Sequence, residues 1–87
     1  MQLLVPLPLY GVSMKAVVWS KNFCPFCDSA KELLTLKGYE IEERIVGAPY
    51  TKEDLIAAVP DARTVPQIFL DDQYIGGFDQ LKEHFGM

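Results

Sequence analysis

Cys24-Pro25-Phe26-Cys27 stands where a short β-rich run, Lys15 to Ser20 (KAVVWS), gives way to a helical pattern. With Pro25 as the first helical residue, Cys24 is the N-cap, and its sulfur faces the unpaired backbone N–H groups of the first turn. A thiolate is stabilised in that position and a neutral thiol is not. Cys27 lies almost one turn further along the same face, close enough to close a short disulfide ring with Cys24. These are the only two cysteines among 87 residues, so the chain carries a candidate redox couple.

Working outward, Lys15 to Ser20 suits a strand buried on both faces. After Pro25 the spacing places Phe26, Ala30, Leu33 and Leu34 on one side of a helix that ends at Lys37-Gly38, a cation followed by a C′ glycine. Tyr39 to Val46 (YEIEERIV) alternates as a second strand, parallel to the first after the helical crossover. Thr51-Lys52-Glu53-Asp54 reads as an N-cap with acidic residues in the first turn, opening a short helix to about Val59 that Pro60-Asp61 ends. Gln67 to Leu70 (QIFL) and Gln73 to Ile75 (QYI) flank Asp71-Asp72, a two-residue hairpin link. Gly76-Gly77 leads into a last helix from about Asp79 to Phe85. The order β-α-β-α-β-β-α makes this an α/β protein with a small mixed sheet covered by helices.

Composition narrows the chemistry. Eighty-seven residues that are 49% hydrophobic suit one small domain with one compact core. Two cysteines exclude a disulfide-rich scaffold, and with a single histidine they cannot complete a four-ligand zinc site from sulfur and imidazole; no metal is expected. The formal charge of −4 is spread over mixed positions without the basic cluster that a phosphate backbone requires. Residues 1–13 (MQLLVPLPLYGVS) carry no charge, and Pro6 and Pro8 interrupt what would be a signal h-region. They read as a flexible lead-in, with the domain running over 14–87, and the absence of targeting features points to the cytoplasm.

Two further segments can carry chemistry. Thr64-Val65-Pro66 precedes the QIFL strand, where a proline gives up a ladder hydrogen bond. A cis Val65-Pro66 bond there would turn the Val65 N–H and C=O outward, open to an extended peptide as a sheet edge is. Gly76-Gly77-Phe78-Asp79 forms a glycine turn with Asp79 as helix cap, and the free N–H groups beside a carboxylate match the two charges of an α-amino acid head group. His84, Trp19, Phe69 and Phe85 read as a surface cation and core aromatics.

In this order and spacing, C-P-F-C, T-V-P and I-G-G-x-D resemble the motifs of the glutaredoxins, over about residues 14 to 87. CPFCDSAK and IGGFDQL are most similar to small dithiol members from bacteria or phages. The resemblance implies a thioredoxin fold, a four-stranded mixed sheet flanked by three helices. It implies glutathione as reductant and co-substrate, and a couple near −200 to −230 mV. Cys24 would be the nucleophile and Cys27 the resolving thiol. Lys21 matches a basic residue that supports the thiolate and meets a glutathione carboxylate, and Arg63 and Thr64 are further candidates for binding glutathione. Val65 would hold the cysteinyl backbone, Pro66 would be cis, Phe26 would supply an apolar wall, and Gly77, Phe78 and Asp79 would receive the γ-glutamyl end. Partners would be glutathionylated or disulfide-containing proteins, with ribonucleotide reductase a candidate, and the protein would act as a monomer.

Departures from the family pattern are specific. Phe26 lacks the hydroxyl of the more frequent tyrosine. Asp28 should partly oppose the lowering of the Cys24 pKa, leaving the net shift downward because the N–H groups touch the sulfur directly. A family glutamine position falls near Glu53, which cannot donate to a carboxylate, leaving Lys52 to compensate. Two rivals fit less well. A redoxin recharged by thioredoxin reductase usually carries W-S-G-F-R-P-D where this chain has I-G-G-F-D-Q-L. An iron-sulfur carrier using Cys24 and glutathione as ligands usually reads C-G-F-S.

Overall fold

In the computed structural model, which describes residues 14–87, four strands and three helices follow the expected order. The expected lead-in 1–13 lies outside the described residues. Strand β1 (Lys15–Ser20) is followed by α1 (Pro25–Leu36), β2 (Glu40–Ile45), α2 (Lys52–Ala58), β3 (Gln67–Leu70), β4 (Gln73–Gly76) and α3 (Phe78–His84). The sheet order is β2-β1-β3-β4. β1 pairs parallel with β2, Ala16 opposite Ile41, and antiparallel with β3, Val18 opposite Ile68. β3 and β4 are antiparallel, with Leu70 opposite Gln73 across the two-residue link.

Both faces of the sheet are covered, as the continuous apolar run of β1 requires. Successive side chains of a strand point to opposite faces. Ala16 and Val18 accordingly join Ala30, Leu34, Ile68, Leu70 and Leu81 in the layer under α1 and α3. Val17 and Trp19 meet Leu55, Val59 and Ala62 on the α2 side. Leu34, Ile68 and Leu81 are fully buried, and each contributes on the order of 1.5–3 kcal/mol relative to an exposed side chain.

Local chemistry sets the element ends. The Thr51 hydroxyl accepts from the Asp54 N–H at 3.1 Å while the Asp54 carboxylate accepts from the Thr51 N–H at 2.9 Å, a reciprocal cap that opens α2. At the end of α1 the Gly38 N–H donates to Thr35 O and the Tyr39 N–H to Leu34 O, with Gly38 at φ 87°. That pairing needs a left-handed residue, which glycine supplies. Asp71 and Asp72 both take positive φ, 49° and 70°, matching the twist of a two-residue hairpin. No helix among the described residues is long and apolar enough to cross a membrane.

Three expectations need correction. The last helix begins at Phe78 with Gly77 as its N-cap. Asp79 sits in its first turn rather than capping it; the cap contact comes from Gln80, whose Oε1 accepts from the Gly77 N–H at 2.9 Å. Phe26 falls with Ala30 and Leu34 by periodicity, yet its residue is 65% exposed, because its ring turns toward Phe78, with centroids 6.2 Å apart. The second strand is Glu40–Ile45, shorter than Tyr39 to Val46 by a residue at each end, with Val46 in an isolated bridge to Tyr50.

Candidate active site

The redox pair occupies the turn between β1 and α1. Cys24 is the N-cap in extended conformation, and Pro25 opens the helix, where its missing N–H deprives no carbonyl of a partner. Cys24 and Cys27 are joined by a disulfide, with Cα atoms 5.2 Å apart. The Cys27 N–H donates to Cys24 Sγ at 3.2 Å, so the helix start is aimed at the first sulfur. The residues are unequally accessible: Cys24 is 5% exposed and Cys27 1%.

Under α1, a chain of polar contacts ties the redox helix to the sheet. Ser20, fully buried at the end of β1, donates its hydroxyl to Glu43 Oε2 at 2.6 Å. Lys31 Nζ donates to the same oxygen at 2.7 Å and lies 3.6 Å from Asp28 Oδ1. The Lys31 hydrogen bond and that of Ser20 hold the Glu43 carboxyl below its ordinary range. The Glu43 hydrogen bond holds the Lys31 ammonium above its own. Sequence patterning did not single out this network, since its three members lie on three elements.

Two clefts meet at Thr64 and Val65. One, of about 330 Å³, is walled by Phe26, Pro66 and Phe78 and floored by Val65 and Gly77, with Asp79 and Gln80 at its end. Phe26, which stands between the two cysteines in the chain, lines this cleft, and neither cysteine does. The Val65–Pro66 peptide is cis, as expected, and so is Ala48–Pro49. The Val65 N–H and C=O make no hydrogen bond among the described residues. A Cβ added to Gly77 would stand 3.3 Å from Gln80 Oε1 and 3.5 Å from Pro66 O, so a glycine here lets the two backbones approach.

The second cleft, of about 220 Å³, runs from Val65 past Leu55 and Ala62, and Lys21, Lys52 and Arg63 lie along it. Lys52 lines this cleft and Glu53 does not. Lys21, Arg63, Thr64 and Val65 line the second cleft and Thr64, Val65, Pro66, Phe26, Gly77, Phe78 and Asp79 the first, so the two share Thr64 and Val65. Cations line one, and a carboxylate beside a helix start lines the other. Gln80 lines the first cleft too; its position three residues after Gly77 was the available signal. A larger depression of about 680 Å³ runs along outer α1, by Lys31, Thr35 and Leu36; neither cysteine lines it, nor either of the other two clefts.

A sulfur pair at a strand-to-helix turn, a cis proline and a β-α-β-α-β-β-α sheet together are the features of a dithiol thiol–disulfide oxidoreductase with the thioredoxin fold. The glutaredoxin family model matches residues 16–75, and the chain belongs to the glutaredoxin family. It is 44% identical over 72 residues to a probable glutaredoxin of Synechocystis, covering 82% of this chain and 66% of that protein. It is 39% identical over 64 residues to glutaredoxin 3 of Escherichia coli, covering 74% and 77%. Over 78 residues it is 40% identical to a hybrid peroxiredoxin of Haemophilus influenzae, covering 90% of this chain and 32% of that longer protein. Among solved structures, glutaredoxin 1 of Francisella tularensis superposes with a TM-score of 0.71 at 30% identity, over 85% of this chain and 94% of that one. A buckwheat glutaredoxin–glutathione complex gives 0.67 at 27%, over 82% and 69%.

Proposed function

We propose that this protein is a glutathione-dependent oxidoreductase that reduces protein–glutathione mixed disulfides and protein disulfides through Cys24 and Cys27. The observation that supports it is the pair of clefts that share Thr64 and Val65, one lined by Lys21, Lys52 and Arg63 and the other by Phe78 and Asp79. Glutathione is an extended tripeptide with a carboxylate at each end and an ammonium at one. Its glycine carboxylate suits the cations, its cysteinyl backbone suits the unpaired N–H and C=O of Val65, and its γ-glutamyl head suits the Phe78 backbone and the Asp79 carboxylate.

In the reduced protein the Cys24 thiolate, held by the Cys27 N–H, attacks the glutathione sulfur of a mixed disulfide. A Cys24–glutathione disulfide forms, the old S–S bond breaks, and its electron pair leaves with the protein substrate as a thiolate. The thiolate of a second glutathione attacks the bound glutathione sulfur, giving oxidised glutathione and returning Cys24 as thiolate. With a protein disulfide, Cys24 bonds one substrate sulfur and releases the other. The Cys27 thiolate then attacks Cys24, closing the 24–27 disulfide and freeing the first substrate sulfur; two glutathiones reopen the pair. The N–H that stabilises Cys24 as attacking thiolate also stabilises it as leaving group. The cycle suits the cytoplasm, where glutathione keeps thiols reduced, with a monomer as the working form and ribonucleotide reductase as a candidate recipient of electrons.

The test is reduction of a glutathionylated peptide, coupled to glutathione reductase. Cys24→Ser should abolish turnover, and Cys27→Ser should retain deglutathionylation while losing reduction of a protein disulfide. Full activity in the Cys24 variant would overturn the assignment.

A further inference from the structure

Phe23, immediately before Cys24, is 100% exposed and sits at φ 58°. Each fact is unusual. Left-handed backbone is a genuine outlier for a bulky residue, and a wholly exposed phenyl ring beside a buried cysteine gains nothing from the fold. Backbone held in a sparse region next to a reacting atom points to function rather than packing. Phe23 lines neither cleft, and its ring, wholly exposed and next to Cys24 in the chain, is covered by no other side chain among the described residues. Phe26, 65% exposed, turns instead toward Phe78 and the first cleft.

We propose that Phe23 is a specificity-determining residue for the protein substrate, its ring packing on an apolar side chain next to the substrate's disulfide cysteine as Cys24 attacks. The proposal rests on Cys24 as the attacking sulfur, part of the function proposed above, and not on glutathione. Aromatic rings supply large contact area with few rotatable bonds, which is why they dominate recognition surfaces.

The experiment uses peptides whose cysteine is joined to thionitrobenzoate, differing only in a Leu or a Ser before that cysteine. The Cys24 thiolate of the reduced protein attacks the peptide sulfur, forming a Cys24–peptide disulfide. The peptide–aryl S–S bond breaks, and coloured thionitrobenzoate leaves with the electron pair. The second-order rate of colour release should favour the Leu peptide by about tenfold, equivalent to 1.4 kcal/mol. Phe23→Gly, which suits a positive φ and keeps the fold, should bring the ratio to within about twofold of unity, and Phe23→Tyr should preserve it. A general structural effect would change both rates and leave the ratio alone. An equal ratio in the parent and the Gly variant, no preference in the parent, or loss of preference in the Tyr variant would each overturn the proposal. No glutathione enters the assay, so failure of the glutathione assignment would show only in the coupled assay.

Discussion

Glu43 offers the most quantitative test of how the fold holds the redox helix. Its Oε2 accepts from Ser20 at 2.6 Å and from Lys31 at 2.7 Å, and Ser20 is completely buried. Glu43→Ala strands the Ser20 hydroxyl, at about 1–3 kcal/mol for an unsatisfied buried group. It also removes an ion pair whose side chains are 28% and 30% exposed, worth about 0.2–1 kcal/mol after solvent screening. The expected loss is about 1–4 kcal/mol. In a Ser20→Ala background no hydroxyl is stranded, so the same change should cost only about 0.2–1 kcal/mol, giving a coupling of about 1–3 kcal/mol. Urea unfolding followed by Trp19 fluorescence reads both, because Trp19 is the single tryptophan and is 2% exposed. The Glu43 carboxyl is held below its ordinary 4.5. Its contribution is therefore complete above that pH and is lost as pH falls through the lower folded value. Lys31, held above 10.5, has the opposite sign: its contribution is complete below that pH and is lost as pH rises through the raised folded value. The Ser20–Glu43 coupling should be full at pH 7 and fall as the pH drops through the lowered folded value of the Glu43 carboxyl. A coupling below about 0.3 kcal/mol at neutral pH, or one unchanged in acid, would refute the reasoning.

Other outcomes follow from single positions. Gly76→Ala places a Cβ 2.9 Å from Gln80 Cγ at φ 123° and should cost about 1–3 kcal/mol, read as a drop in Tm of roughly 4–8 °C per kcal/mol. Leu34→Ala, at a site with no exposure, should cost about 2–5 kcal/mol; a loss below 1 kcal/mol in urea unfolding would mean the layer under α1 is not close-packed. Arg63→Gln should raise KM for a glutathionylated peptide about fivefold with kcat within twofold, and the difference should shrink at high salt. A kcat effect without a KM effect would move Arg63 out of ground-state binding.

Much of the fold was legible because its signals are local. Ala16-Val17-Val18-Trp19 alternates between two apolar faces, Asp71-Asp72 is a short link between β-rich runs, and Gly38 follows a completed helical repeat. Cys24, Pro25 and Cys27 announce the redox turn by spacing alone. What escaped depends on distance or competition. Ser20, Lys31 and Glu43 come together only once β2 pairs with β1 beneath α1, and each reads separately as an ordinary polar residue. At the start of α3, Asp79 and Gln80 both could cap; the helix starts one residue earlier than expected, which hands the Gly77 N–H to Gln80. Periodicity counts Phe26 with the core because it does not register where a helix runs past the residues it covers. Nothing around Ala48-Pro49 distinguishes a cis bond from a trans one, whereas Val65-Pro66 was marked by the motif around it.

In the proposed function, glutathione disulfide-bonded to Cys24 lies over Val65, with its γ-glutamyl head at Phe78 and Asp79. An NMR study of isotope-labelled Cys27→Ser protein, carrying glutathione disulfide-bonded to Cys24, tests it most directly. Glutathione seated there gives proton contacts from the tripeptide to Val65 and Phe78, with amide shifts at Arg63, Val65, Phe78 and Asp79. Shifts confined to residues adjoining Cys24 in the chain, with no contacts to Val65 or Phe78, would contradict it.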